Sequence, residues 1–308
     1  VSATATGGAD ITITDMDAFT GTDSDGDDIT TTMTLSSTGS GSVVTVSDLG
    51  FAVAATLDTV TITTASDGVV SFTVTDDDTT ITTINASGAA ADDLVIDVND
   101  LAAATTITLG AGDDASVTLS DNGDTVTTGS GTSTIIVTDG QADITFGSAV
   151  DTVSFQQVND DVQITNFTAG TGGDVVQIDI SAFTALTNGG STTVADWFTP
   201  VIEDFATTDA LSAADDGTNI IRITDNVANS AAMEAVLEDD ILDDGNFTAG
   251  DDIVVLWTDG ADTYISEVDI TTLDTGVDGV DAVAATTVAT LVGVTIGDLV
   301  ASNFDFIA

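Results

Sequence analysis

The chain has 308 residues with 52 acidic side chains and a single basic one, which give a formal net charge of −51 at pH 7. This charge excludes nucleic acids and anionic membrane surfaces as ordinary partners, because their phosphates would be repelled. A hydrophobic fraction of 42% excludes the class of disordered acidic chains and predicts a folded protein with a buried core.

The kind of acid indicates where the charge lies. Four of the 52 acidic residues are glutamates and the other 48 are aspartates. Aspartate favours turns whereas glutamate favours helices, so most carboxylates are expected in loops. Almost no basic side chain opposes their mutual repulsion, so the expected counter-charge is a hard divalent cation such as Ca²⁺.

The residue types also exclude several kinds of catalysis. The chain contains no histidine, cysteine or lysine. Histidine-based triads, thiol nucleophiles, disulfides, HExxH zinc sites and Walker loops are therefore impossible, and we expect a protein that is not an enzyme. Carboxylate pairs can hydrolyse glycosides, but among 52 acids their proximity carries no information. Arg222, the single basic side chain, lies in the strand-like segment 219–224 and is expected to form a structural ion pair with a nearby aspartate.

Residues 1–79 contain short runs in which apolar residues and threonines alternate. The predicted strands are 11–14, 29–35, 43–46, 60–64 and 69–75. Strands at such spacing predict an N-terminal β region, either a small β-sandwich or an irregular solenoid.

An acidic cluster lies between the first two of these strands. It consists of Asp23, Asp25, Asp27 and Asp28. Carboxylates at alternate positions can converge on one hard cation. The cluster is not an EF-hand, because Gly26 comes two places early and Thr34 stands where the bidentate glutamate belongs. A cation site and a solvated acidic turn both remain open here.

The middle of the chain, residues 80–185, repeats every nine residues. The repeating apolar positions are Val117, Val126, Ile135, Ile144, Val153 and Val162, followed two residues later by Leu119, Thr128, Val137, Phe146, Phe155 and Ile164. A spacing of two places both side chains on one face of a short strand, and six residues remain for a turn. This period predicts a parallel β-roll or β-solenoid, which the strands predicted at 80–84, 94–98 and 105–109 extend upstream.

The turns of this repeat are rich in glycine and aspartate. They resemble the calcium-binding nonapeptide of repeats-in-toxin (RTX) proteins, G-G-x-G-x-D-x-U-x. The D-x-U core is kept in 124–126, 151–153 and 160–162. The glycines are kept by Gly129 and Gly131, with Ser133 at the aspartate position, and Ala142 takes that position beside Asp143. The segment 84–114 resembles the β-solenoid of RTX-type bacterial surface-layer proteins.

The resemblance implies cation sites between stacked turns, and successive turns of a two-sided roll alternate between two edges. One edge is expected to carry Gly110, Gly112, Asp114, Gly129, Gly131 and Asp151. The other is expected to carry Asp121, Asp124, Asp139, Asp143, Asp160 and Asp161. The second edge has more carboxylates, so we expect Ca²⁺ there first. A metal-free solenoid with solvated acidic turns is the alternative.

The repeat is followed by a segment that resembles the closing strands of RTX β-rolls. Residues 162–167 match an apolar strand ending in I-x-[DN]-F, and residues 172–181 match a glycine-rich turn followed by D-x-I-D-L-S, with Ile180 in place of leucine. Asp174 of this turn joins the candidate cation ligands.

Residues 186–308 are predicted to form an α+β cap. The strongest helix prediction is 229–242, and strands 251–257 and 263–268 around the turn 258–262 predict a hairpin. Residues 291–308 resemble the uncleaved C-terminal export signal of type I secreted proteins. They are also compatible with an ordinary terminal strand that packs Phe304 and Phe306. No run of 18 apolar residues predicts a transmembrane segment.

The resemblance implies a secreted, calcium-loaded structural protein on the exterior of a Gram-negative bacterium. Its expected partner is itself, in a surface layer or filament, and a cell-surface polysaccharide is considered as a second partner. One alternative is an RTX adhesin, or the β-roll and secretion module of a larger toxin or hydrolase. Another is a metal-free acidic protein adapted to high salt, although that alternative does not explain the excess of aspartate.

Overall fold

The computed structural model describes residues 2–6, 8–13, 31–38, 42–46, 57–64, 68–74, 81–89, 93–111, 114–157, 161–182, 200–207, 219–238, 252–272 and 282–307. The chain divides into two compact units, Val1–Val153 and Ser154–Ala308. The protein is mainly β, and its long parallel sheets have the predicted solenoid-like arrangement.

The first unit consists of short strands joined by turns. Its strands are β1 (Ser2–Ala5), β2 (Asp10–Ile13), β3 (Thr31–Ser37), β4 (Val43–Val46), β5 (Leu57–Thr64), β6 (Val69–Thr73), β7 (Thr83–Ala89), β8 (Asp93–Asp97), β9 (Thr106–Leu109), β10 (Ala115–Thr118), β11 (Asp124–Thr127), β12 (Ser133–Val137) and β13 (Ala142–Thr145). β14 (Thr152–Phe155) spans the division between the units.

Odd-numbered and even-numbered strands of the first unit form two separate parallel sheets. Val126 pairs with Ile107 and Ile144 in one sheet, and Val117 pairs with Ile135 in the other. One nine-residue step therefore carries the chain to the opposite sheet, and two steps bring it back one strand further. The predicted repeat and fold class are confirmed.

The strands described within residues 1–79 belong to the same two sheets as the repeat. β5 pairs with β7 and β6 pairs with β8, in both cases in parallel, so the sheets continue across position 79. Of the two alternatives for this region, the pairing corresponds to the irregular solenoid. The cluster Asp23–Asp28 lies outside the described residues.

The core of the first unit lies between the two sheets. Val117, Val126 and Ile135 are fully buried, as are Leu119 and Val137 two residues after a repeat position. Alternate side chains of a strand point to opposite faces, so each strand contributes its apolar residues to the core and its polar residues to solvent. The apolar residues of the repeat thus contribute the buried surface that favours folding, and their spacing sets the register in which the strands pair.

In the part that the structure describes, the second unit contains strands of two sheets, one α-helix and three short 3-10 helices. Its elements are β15 (Val162–Thr165), β16 (Val175–Asp179), β17 (Ile202–Phe205), β18 (Ile220–Asn226), α1 (Ser230–Val236), β19 (Asp252–Thr258), β20 (Thr263–Thr272), β21 (Ala282–Val292) and β22 (Phe304–Ile307). Within the unit, one sheet has the order β15-β21-β20-β19-β18-β17, and β16 pairs with β22 in parallel. β19 and β20 form the predicted antiparallel hairpin.

Helix α1 covers one face of the larger sheet. Asn229 caps its N-terminus by accepting a hydrogen bond from the backbone N–H of Ala232 at 3.0 Å. Met233 and Leu237 are fully buried against strand residues that include Val255 and Ile270. The helix begins where it was predicted, and the part predicted beyond position 238 lies outside the described residues.

The terminal segment is packed into the second unit rather than extended from it. Phe304 and Phe306 are buried on β22, and Asn303 donates from its side-chain amide to the carbonyl of Asp174 at 2.8 Å. This packing fits the terminal-strand interpretation. Among the helices that the structure describes, none has the length and apolarity needed to cross a bilayer.

Candidate metal centre

The turns of the first unit alternate between two edges of the stack. The turns at Gly110, Gly129 and Gly147 each follow an odd-numbered strand, and the edge that they form is called the glycine edge. The other edge contains Asp100, Asp121 and Asp139 and is called the aspartate edge.

Close packing of the backbone explains why glycines recur on successive turns of the glycine edge. A Cβ atom on Gly129 would lie 1.6 Å from the carbonyl oxygen of Gly110, and one on Gly147 would lie 1.5 Å from the carbonyl oxygen of Gly129. Any side chain there would collide with the turn below, so these positions require glycine. Gly131 is buried in the same turn as Gly129, and Gly112 lies outside the described residues.

Two predicted ligands on the glycine edge have different environments. Asp114 is exposed and accepts a hydrogen bond from the hydroxyl of Thr132 at 3.2 Å. Asp151 is fully buried, where it accepts from the hydroxyl of Thr128 at 2.7 Å and from the N–H of Gly147 at 3.2 Å. Thr128, which breaks the apolar series, is therefore the partner of a buried carboxylate.

Asp124 is the buried carboxylate of the aspartate edge. It accepts from the N–H of Thr105 at 2.7 Å, from the N–H of Ser120 at 2.8 Å and from the hydroxyl of Ser120 at 3.0 Å. Burial raises the pKa of Asp124 above its ordinary value and the charge of Asp121 acts in the same direction, although the hydrogen bonds favour the charged form. The side chain thereby joins two successive turns.

Buried aspartates close turns at three places in the chain. Asp124 and Asp151 each accept from the backbone N–H of the residue four positions earlier, Ser120 and Gly147. Asp174, which is also buried, accepts from the N–H of Thr168 at 2.7 Å. Their observed contacts are with hydrogen-bond donors, so the aspartate of the D-x-U core has a structural role that the sequence interpretation as a ligand did not anticipate.

Three exposed carboxylates lie on the aspartate edge. Asp100, Asp121 and Asp139 follow one another on successive turns, and all three are exposed. The side-chain N–H of Asn122 donates to the carboxylate of Asp121 at 2.7 Å. The amide oxygen of Asn122 belongs to the same edge. The column of Asp100, Asp121 and Asp139 is named here the aspartate column. The one basic side chain of the sequence belongs to the second unit, so no arginine or lysine neutralises this column from within the first unit.

Other predicted ligands lie elsewhere. Asp143 is exposed on strand β13, opposite Thr125, and not in a turn. Asp161 is exposed immediately before β15, and Asp160 lies outside the described residues. Among the residues described, no three acidic side chains converge closely enough to hold a metal ion by themselves. The structure therefore brings Asp121 and Asp139 to one edge but does not form a cage of three carboxylates.

A second group of acids, which no sequence pattern indicated, lies on the larger sheet of the second unit. Asp252 on β19 is opposite Asp269 on β20, and Glu267 lies two residues from Asp269 on the same strand. Burial raises the pKa of Glu267 to about 7, and the charge and hydrogen bond of Asp252 add to this effect, followed by the charge of Asp269. The Glu267 carboxyl is therefore about half protonated at pH 7.

Arg222 forms the ion pair that the sequence predicted. Its guanidinium binds the carboxylate of Asp204 through two nitrogens, one of them at 2.9 Å. It also donates to the carbonyl oxygens of Leu299 at 2.7 Å and Ile296 at 3.3 Å. The single basic side chain of the protein thus holds the terminal segment against the sheet, and its donors face structural partners.

Comparison with protein-family models, curated proteins and solved structures finds no match. The RTX resemblance therefore depends on the sequence motifs alone.

Proposed function

We propose that the protein is a secreted structural protein of the cell exterior whose folding and self-assembly depend on calcium. The observation that supports this proposal best is the aspartate column. Asp100, Asp121 and Asp139 are exposed on successive turns of a parallel stack, and like charges at that separation repel one another. A bound divalent cation would replace this repulsion with attraction to both turns.

The spacing of the turns suits calcium. Adjacent strands of a sheet lie about 4.8 Å apart, so oxygen atoms that stack directly above one another on two successive turns would each lie about 2.4 Å from a cation midway between them. Calcium binds oxygen ligands at about 2.3–2.6 Å and accepts carboxylates, amide oxygens, carbonyls and water together. A site between two turns therefore needs one or two carboxylates and not three, with the amide oxygen of Asn122 among the other donors.

Self-assembly is supported by the arrangement of the sheets. Among the described strands, β1 and β2 each pair on one side only, and the same is true of β17 and β22 in the second unit. Strand edges of this kind offer backbone N–H and C=O groups for pairing with another chain. We propose that a second copy supplies the partner strands, which would give a filament or a layer.

The coupling of folding to calcium binding also gives a physical account of how the chain could be exported. Where calcium is scarce, repulsion among the 52 acids opposes the compact state and keeps the chain exportable. Where calcium is abundant, binding to the folded state contributes its free energy to folding. We include type I secretion by a Gram-negative bacterium in the proposal on the strength of the C-terminal resemblance.

The experiment titrates calcium into chelator-treated protein while circular dichroism records β structure and electron microscopy records assembly. Strand content and ordered particles are expected to rise together with calcium and to be lost again in excess chelator. Sodium chloride at matched ionic strength separates specific binding from general screening. The proposal fails if spectra and particles are unchanged in chelator, or if sodium chloride reproduces the calcium effect.

Paired variants locate the site. Asp121→Asn with Asp139→Asn removes two charges from the aspartate column and is expected to weaken the calcium response. Asp10→Asn with Asp143→Asn removes two exposed charges from strands and is expected to leave the response unchanged. Equal responses of the two double variants would show that the calcium response depends on net charge and not on the aspartate column.

A further inference from the structure

A groove of about 620 Å³ lies on the second unit, on the same face of the larger sheet as α1. Its floor is a row of residues that lie directly opposite one another on four adjacent strands. Trp257 on β19 pairs with Tyr264 on β20, Tyr264 pairs with Thr290 on β21, and Thr290 pairs with Gln163 on β15. Paired residues share one face of a sheet, so all four side chains face the groove that they line.

The aromatic end of this row is held rigidly. The rings of Trp257 and Tyr264 are stacked, with centroids 4.1 Å apart and planes inclined by 13°. The indole N–H donates to the hydroxyl of Ser266 at 3.0 Å, and the hydroxyl of Tyr264 donates to Asp259 at 3.1 Å. Trp257 is only 3% exposed, whereas Tyr264 is partly exposed. Tyr264 is therefore the ring that a ligand would contact, on a platform that needs no rearrangement.

The rest of the lining is mainly polar, with Ala228 and Ala285 among its members, and contains no base among the described residues. Gln163 and Thr287 are partly exposed, and the exposed Asp161 also lines the groove. These groups include donors and acceptors of hydrogen bonds. A carboxylate in the lining, in a chain of net charge −51, disfavours an anionic ligand. An apolar ligand would leave the amide and hydroxyl groups without partners.

A neutral oligosaccharide satisfies these requirements together. A sugar ring has a face of C–H groups that packs on an aromatic ring, and hydroxyl groups around its rim that both donate and accept. Three strand spacings make the row about 14 Å long, which accommodates about three sugar rings. We propose that this groove binds a neutral oligosaccharide, with one sugar ring stacked on Tyr264 and the hydroxyls of the next rings bonded to Gln163, Thr287 and Asp161.

This inference does not depend on calcium-driven assembly. It names a binding site for the cell-surface polysaccharide that was considered as a second partner. The protein is tested with calcium present, after circular dichroism has verified that it is folded. Maltotriose, cellotriose and laminaritriose are the neutral probes, and trigalacturonate is the anionic comparison. Calorimetry measures affinity, and the tryptophan indole N–H signals in NMR spectra report on the groove.

At least one neutral probe is expected to bind with millimolar or better affinity and to shift one indole signal. Gln163→Ala and Tyr264→Ala are each expected to weaken that binding about tenfold, which corresponds to one lost ring contact or hydrogen-bonded group. Tyr264→Phe keeps the ring and is expected to retain binding. Gln141→Ala changes an exposed glutamine of the first unit and is the matched control.

Three results would each overturn the proposal. The first is that none of the three neutral probes binds. The second is that a neutral probe binds equally well to wild type and to Gln163→Ala, a test that holds even if Tyr264→Ala fails to fold. The third is that trigalacturonate binds as tightly as the best neutral probe, because the charge argument would then be wrong.

Discussion

Replacing Asp124 with alanine tests the proposed structural role of the buried aspartates. The carboxylate accepts hydrogen bonds from the backbone N–H groups of Thr105 and Ser120, on two successive turns. Alanine leaves both donors buried without these acceptors, and a buried unsatisfied donor costs about 1–3 kcal/mol. With two such donors, the free energy of unfolding is expected to fall by about 2–6 kcal/mol. The hydroxyl of Ser120 adds nothing to this loss, because it can turn to another acceptor.

Urea unfolding followed by circular dichroism at fixed calcium concentration measures this loss. Asp143→Ala is the matched control, because Asp143 is an exposed aspartate on a neighbouring strand of the same sheet. Its effect is expected to stay within about 0.5 kcal/mol. Asp124→Asn keeps one acceptor oxygen and is expected to lie between the two. Equal losses for Asp124→Ala and Asp143→Ala would refute the inference that Asp124 joins two turns.

Three further changes test the fold. Gly129→Ala is expected to lower the melting temperature, because its Cβ atom would lie 1.6 Å from the carbonyl oxygen of Gly110. Gly297→Ala is the control, because a Cβ atom there would have no other atom within 4 Å. Glu267 has a pKa raised from 4.5 to about 7 in the folded state, so its contribution to stability is present below pH 4.5 and is lost as the pH rises towards 7. Glu267→Gln is expected to flatten this slope in melting scans. Arg222→Gln removes the donors to the Leu299 carbonyl and is expected to increase hydrogen exchange over residues 296–303.

Each of these expectations has a definite contrary result. Equal melting temperatures for the two glycine variants would show that the turns move apart at little cost. A pH slope that is unchanged in Glu267→Gln would assign the dependence to other acids. Unchanged exchange in the Arg222 variant would show that apolar packing alone holds the terminal segment.

The sequence predicted the solenoid repeat of the first unit because the physical signals of that repeat are local. A spacing of two places apolar side chains on one face, and a period of nine leaves turns of fixed length. Two such steps bring Val126 over Ile144, which is the observed register. The edge on which Asp121 and Asp139 lie follows from the same count. The start of the helix and the hairpin of the second unit were likewise predicted from local residues, a run of helix formers in one case and a turn between two strands in the other.

The role of individual side chains was less accessible from sequence. Asp124 and Asp121 differ by three positions, yet one is buried and closes turns while the other is exposed. The sequence marks both as acids in a turn, and only the direction of each side chain relative to the strand separates them. Thr128 interrupts the apolar series, and its hydroxyl donates to the buried carboxylate of Asp151.

Tertiary structure alone decided the features that join distant parts of the chain. Gln163, Tyr264 and Thr290 form one row because β21 lies between β15 and β20, an order that no local pattern encodes. Arg222 meets the carbonyl of Leu299 across 77 positions for the same reason. Composition and period determine a parallel stack of acidic turns, since each turn depends on its own residues. Strand order in the second unit depends on which faces bury one another, and that is settled only when the whole unit packs.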